Sequence, residues 1–90
     1  MNDESAPERI AVNWPPEARA DLRAIDRETA IQILHCIDRY LFNRTGDVKK
    51  LKPPETGFRL RCGDYCVFFD RGSETTIGIT GVRHRREAYR

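Results

Sequence analysis

The last eight residues, Arg83-His84-Arg85-Arg86-Glu87-Ala88-Tyr89-Arg90, hold four arginines, a histidine and a tyrosine. Upstream, Arg59 and Arg61 stand two apart in Phe58-Arg59-Leu60-Arg61, and Cys66 follows Gly63-Asp64-Tyr65. Guanidiniums at alternate positions of a strand share one face. Around a concavity they suit phosphodiester chemistry, because they stabilise the charge that builds on a pentacovalent phosphorus. A phenol among cations has a lowered pKa and can exchange a proton. If the C-terminal run folds back beside the pair of strand arginines, Arg83 and Tyr89 join Arg59 and Arg61 around one site.

Each of these residues also has a plain structural reading. Arg59 and Arg61 could be solvated charges that discourage strand addition to a hairpin. Tyr89, one residue from the end, could be a packed or frayed terminal aromatic. His84 reads as a strand-end or surface histidine and His35 as a helix-face residue. Cys66 is either a small buried hydrophobe or a thiol with a lowered pKa beside Arg61. Lys49, Lys50 and Lys52 are surface lysines or, following Gly46-Asp47, a cationic rim for RNA.

The elements that must position these groups follow from periodicity. Ile10, Val12 and Trp14 alternate with polar or small residues, as in a strand with one buried face, until Pro15 stops it. Pro15-Pro16-Glu17 suits a first helical turn, and Ala18, Leu22 and Ile25 recur at helical spacing. Asp26 can cap a second helix whose apolar stripe is Ala30, Ile33, Leu34, Ile37 and Leu41, ending between Asn43 and Asp47 with Gly46. From Val48 the period becomes two, which predicts strands at 48–52, 58–62, 65–71 and 75–82 in an antiparallel meander. Gly63-Asp64 is a two-residue hairpin turn with glycine first. It pairs Cys62 with Tyr65, so Phe58, Leu60, Tyr65, Val67 and Phe69 face the helices while Arg59, Arg61, Cys66 and Phe68 face away.

Composition bounds the rest. Ninety residues with 39% apolar and 33% charged side chains allow one small globular domain, here 9–90 after a polar tail over 1–8. No apolar run approaches membrane-spanning length, and Met1 to Glu8 is acidic where a secretory signal is basic then apolar, so the chain reads as soluble and cytoplasmic. Cys36, Cys62 and Cys66 show no paired spacing, so reduced thiols are expected and no metal site is indicated. Residues 1–43 carry five arginines against eight carboxylates and residues 44–90 eleven Lys/Arg against six, net charges of −3 and +5 that give the chain's +2. A basic half on so small a domain suggests a polyanionic partner.

The order Lys50-Leu51-Lys52, Phe58-Arg59-Leu60-Arg61, Gly63-Asp64-Tyr65-Cys66-Val67-Phe68-Phe69 and Gly81-Val82-Arg83-His84-Arg85-Arg86-Glu87-Ala88-Tyr89 resembles the RelE/ParE toxin superfamily, from about residue 9 to the end. The resemblance implies the toxin of a bacterial type II toxin–antitoxin module. It implies an α+β, RelE-like fold: two N-terminal helices packed on a twisted, mainly antiparallel sheet of four to five strands. RelE-type members cleave mRNA in the ribosomal A site by attack of the substrate's own 2′-hydroxyl, leaving a 2′,3′-cyclic phosphate. Carried over by position, the catalytic set is Arg59, Arg61, Arg83 and the base Tyr89, with Lys49, Lys50, Lys52, Arg85 and Arg86 as RNA contacts. Both strand arginines depart from lysines in the best-known type. Cys66 stands where an arginine usually helps hold the scissile phosphate, which leaves Arg85, Lys52 or His84 as substitutes and makes His84 and Cys66 auxiliary candidates. The implied partners are a cognate antitoxin, in a hetero-oligomer, and the ribosome with its mRNA; no cofactor, metal or membrane is implied. The alternatives within the resemblance are a ParE-like inhibitor of DNA gyrase without nuclease activity and a catalytically attenuated member.

Overall fold

In the computed structural model, residues 11–73 and 75–88 are described. The expected polar tail, the start of the first strand at Ile10, and Tyr89 lie outside the described residues. The elements are β1 (Ala11–Asn13), α1 (Pro16–Arg23), α2 (Arg27–Asn43), β2 (Asp47–Lys50), β3 (Phe58–Cys62), β4 (Tyr65–Ser73), β5 (Thr76–His84) and a short α3 (Arg85–Ala88). They build an α+β fold around one five-stranded sheet in the order β1-β5-β4-β3-β2. The meander from β2 to β5 is antiparallel, whereas β1 runs parallel to β5, pairing Ala11 with Thr76 and Asn13 with Gly78.

Local chemistry sets the helix limits. Pro15 is extended and Pro16 opens α1, where a missing amide donor costs nothing. The Asp26 carboxylate caps α2 by accepting from the Thr29 amide at 3.1 Å, and Thr29's amide and hydroxyl hold that carboxyl below its ordinary pKa. α2 stops when Arg44 turns left-handed (φ 56°), its amide donating to the Tyr40 carbonyl at 2.9 Å. Two residues on, Gly46 passes so close to β3 that a Cβ would lie 2.9 Å from Leu60 Cδ1. The two helices bury Ala18, Ile33, Ile37 and Tyr40 against Leu60, Val67, Phe69, Ile77, Ile79 and Val82 of the sheet. Phe69 stacks on Phe58 and leans on Tyr40, with centroids 5.5 and 5.8 Å away.

Strand limits differ from expectation at three places. β2 stops at Lys50, because Leu51 donates instead to the Gly57 carbonyl and the chain enters the turn holding Pro53 and Pro54. β4 continues to Ser73, past a register shift between Arg71 and Ser73. β5 continues to His84, since its pairing with β4 runs to the end of the hairpin, Cys66 opposite Arg83 and Tyr65 opposite His84.

The expectation of three reduced thiols is corrected. Cys36 on α2 and Cys62 on the helix-facing side of β3 are disulfide-bonded with Cα atoms 5.9 Å apart, and Cys66 alone is free. The sequence separation of 26 conceals a contact that only the helix-on-sheet packing creates. A tie closing a loop of that length is expected to contribute about 3 kcal/mol, mostly by restricting the unfolded chain. The urea midpoint should therefore fall on reduction, and Cys36→Ser should erase the difference between oxidised and reduced samples. An unchanged midpoint would show that the bond stabilises nothing.

Candidate functional site

The site is built from rows that cross the sheet. The hairpin turns at Gly63, whose φ of 64° suits a glycine-first turn, and pairs Cys62 with Tyr65. From there one row reads Asp47, Arg61, Cys66, Arg83 across β2, β3, β4 and β5, and the next reads Lys49, Arg59, Phe68, Gly81. Paired residues share a face and strand positions two apart do too. Lys49, Arg59, Arg61 and Arg83 therefore occupy one side of the sheet, opposite the side on which Leu60, Cys62 and Phe69 meet α2. The four cations come from three strands, β2, β3 and β5, and no two are closer in the chain than Arg59 and Arg61.

Each is held differently. Arg61 is exposed, and its Nε donates to the Gly63 carbonyl at 3.3 Å, which draws the guanidinium toward the turn. Arg59 is half-buried. Arg83 Nη1 lies 3.5 Å from Asp21 Oδ2 of α1, with 54% of the arginine side chain still exposed. That carboxylate oxygen also accepts the Val82 amide at 3.1 Å. The reason lies in the sheet: β1 pairs only with Thr76 to Gly78, so the further edge of β5 has free donors, and α1 packs there. Asp21 thus satisfies a strand edge and aims Arg83 together. Asp21 was not legible as a site residue, because nothing in its helical surroundings distinguishes it from a solvated acid.

Cys66, at the centre of the first row, is 0% exposed. α3 packs against β4 and β5, anchored by the Arg85 amide donating to the Asp64 carbonyl at 2.7 Å. Burial pushes the Cys66 thiol up, against the opposing pull of Arg59, Arg61 and Arg85. It is a neutral filler and not a thiolate, which decides between the two readings of this residue. Arg85 opens α3 directly after β5 and is exposed there.

Other candidates are placed elsewhere. Lys50 pairs with Phe58 and belongs to the helix-facing side. Lys52 sits in the turn after β2, its carbonyl accepting from the Glu55 amide. Arg86 is exposed on α3, its amide donating to His84 Nδ1 at 3.2 Å. His84 meets Tyr65 edge-on at 5.2 Å on the helix-facing side. With His35 and Arg39 of α2 and Arg61 of β3 it lines an open cleft of about 700 Å³ beside the β3–β4 turn, whose lining does not include Arg59 or Arg83. The register thus sets Lys49, Arg59, Arg61 and Arg83 on one side of the sheet and Lys50 and His84 on the other.

A small helix-on-sheet domain with a face of guanidiniums defines the class of protein, and the comparisons agree with that class. The sequence matches the family described as "ParE toxin of type II toxin-antitoxin system, parDE" over residues 12–89, and the chain belongs to that family, within the RelE/ParE superfamily. It is accordingly a toxin of a type II toxin–antitoxin system. No curated protein sequence matches it. Its fold is similar to that in the archaeal RelE–RelB complex from Pyrococcus horikoshii, at 20% identity, 84% of this chain, 94% of that one and a TM-score of 0.67. The YoeB dimer from Staphylococcus aureus is similar at 19% identity, 84% and 97% coverage and a TM-score of 0.67. The RelBE2 toxin–antitoxin complex from Mycobacterium tuberculosis is similar at 27% identity, 86% and 99% coverage and a TM-score of 0.60. Among the described residues no helix is long and apolar enough to cross a membrane.

Two outcomes follow from this geometry. Asp21→Ala should leave the Val82 amide unsatisfied and Arg83 unaimed, lowering stability by about 1–2 kcal/mol in urea titration; a loss below about 0.3 kcal/mol would mean that water replaces the carboxylate. For Cys66 the folded chain keeps a proton that the unfolded chain releases, so stability should fall as pH rises above the ordinary thiol range of about 8.5. Comparing urea midpoints at about pH 7 and about pH 9.5, Cys66→Ala should show a smaller alkaline loss than the unchanged protein. Equal losses would remove the thiol as its source.

Proposed function

We propose that this toxin is a ribosome-dependent mRNA endoribonuclease that inhibits translation. The observation that carries the reading is the register: it puts Lys49, Arg59, Arg61 and Arg83 on one side of the sheet. A purely packing role would not require four cations from three strands to share a face. The chemistry needs little more than position and charge. The RNA's 2′-hydroxyl attacks the adjacent phosphorus as the P–O5′ bond breaks, the leaving 5′-oxygen takes a proton from water, and the products are a 2′,3′-cyclic phosphate and a free 5′-hydroxyl. Arg59, Arg61 and Arg83 hold the non-bridging oxygens as negative charge grows on them, and bidentate guanidinium contacts align the phosphate. Tyr89, which follows α3 in the chain, takes the 2′-hydroxyl proton. Lys49 and Arg86 extend the positive surface along the RNA backbone.

Cys66 supplies no charge where the superfamily resemblance places a phosphate-holding arginine. Arg85 takes over that duty, fixed at the start of α3 by its amide bond to the Asp64 carbonyl; His84 meets Tyr65 on the helix-facing side of the sheet instead. The antitoxin partner of this type II toxin covers the cationic side in a hetero-oligomer and so blocks RNA. The cytoplasm is the working compartment, as translating ribosomes require, and its reductants would open the Cys36–Cys62 bond. The second reading, inhibition of DNA gyrase by binding alone, draws on the match to a ParE family and on the uncharged Cys66.

Expression from an inducible promoter without antitoxin, with mRNA 5′ ends mapped by primer extension, separates the two. Ribosome-dependent cuts should appear, and Arg61→Ala, Arg83→Ala and Arg85→Ala should each reduce them by about 10²-fold, the scale of losing one transition-state donor. Growth arrest with uncut mRNA and impaired supercoiling by gyrase would overturn the nuclease reading in favour of the second.

A further inference from the structure

α2 buries Ile33, Ile37 and Tyr40 on its inner side. On another flank Arg27, Ile31, Leu34 and Asp38 follow at intervals of four, three and four residues, which align them in one stripe along a helix of 3.6 residues per turn. All four are exposed, Ile31 by 41% and Leu34 by 38%, and Phe42, four residues beyond Asp38, by 67%. These are the large apolar side chains that the described surface leaves open. Among the described residues, neither Arg27 nor Asp38 has an ion-pair partner within the chain.

The stripe has a particular symmetry. Its spacing reads the same from either end, while its charge changes sign from Arg27 to Asp38. Laid against itself in antiparallel, it sets Arg27 opposite Asp38 of a second copy and Ile31 opposite Leu34 of that copy, and the two-fold axis repeats both contacts. Phe42 then extends past the start of the facing α2, toward the turn that carries the half-buried Ile25. The geometry points to this flank of α2 as the docking face for a second copy of the chain, α2 against α2 in antiparallel. Self-complementarity is the condition for a closed two-fold dimer. A partner helix of one charge sign would satisfy only one end of the stripe, whereas this chain's own α2 satisfies both. The face is separate from the arginine side of the sheet, so the dimer leaves both cationic sides open.

One pair of helices of 17 residues, each about 25 Å long, makes an interface at the small end of the range for specific association. The dimer should therefore be weak, half-formed at about 10–100 µM. Sedimentation velocity of the full chain, freed of antitoxin, from about 1 µM to about 1 mM tests it. A reversible monomer–dimer equilibrium is expected. Leu34→Glu should weaken it by about 100-fold or more, and Arg27→Asp or Asp38→Arg by about tenfold each, since each reversal sets like charges together twice. The combined Arg27→Asp/Asp38→Arg chain should return to within about threefold of the original, because the swap restores both pairs. All the substituted residues are exposed, and circular dichroism checks that each variant keeps its fold. A monomer at every concentration, a dimer indifferent to Leu34→Glu, or a double swap that fails to restore association would overturn the proposal. So would protection of the 31–42 amides from hydrogen exchange that appears only on adding antitoxin and never with concentration.

Discussion

The tight turn at Gly63-Asp64 governs which side of the sheet every residue from Phe58 to Phe69 faces. With a period of two, a slip of one residue would send Leu60 and Val67 to solvent and bring Arg59 and Arg61 against α2. Such a slip would place guanidiniums among Ile33, Ile37 and Tyr40, where an uncompensated buried charge costs several kcal/mol. The positive φ of Gly63 and the apolar face therefore enforce the same register. Because β2 and β5 take their alignment from this hairpin, Lys49 and Arg83 join the arginines as a consequence. Core packing and the shared face of these cations are two outcomes of one pairing.

The edge of β5 shows a second dependence. A parallel β1 of three residues cannot cover a nine-residue neighbour, and the uncovered donors need partners. α1 packs beside that edge and offers Asp21 to the Val82 amide. Once a carboxylate is placed there, the adjacent Arg83 has an anion to lean on, which on the proposed reading would lower the entropy lost on gripping a phosphate. A guanidinium has five donors, so holding Asp21 through one nitrogen leaves others for substrate. The same acid that completes the fold prepares the site.

Most of this was legible in the residues themselves. Period-two runs located β3 and its turn to the residue, and Pro15-Pro16 and Asp26 marked the helix starts, because these signals are local. The sides of the sheet followed from one turn. What escaped notice depended on contacts between distant segments. Cys36 and Cys62 meet only because α2 lies on β3, and Asp21 matters only because β1 is short. His84 illustrates the converse error: its neighbours in sequence, Arg83 and Arg85, belong to the cationic side, yet alternation turns His84 toward Tyr65 and α2. Proximity in a basic run is a poor guide to proximity in space where the run enters a strand.

Cys66 ties these strands of reasoning together. A position between Arg61 and Arg83 in the same row would be expected to carry charge if charge were all that the row required. Cys66 is instead wholly buried in β4, on which α3 packs. Burial in turn keeps the thiol neutral, so it neither competes for phosphate nor repels it. On the proposed ribonuclease reading the cation is supplied by Arg85, at the start of α3, instead of from the sheet. Moving a charge from strand to helix makes the site depend on α3 staying docked, and the Arg85 amide bonded to Asp64 fastens α3 to the same turn that sets the register.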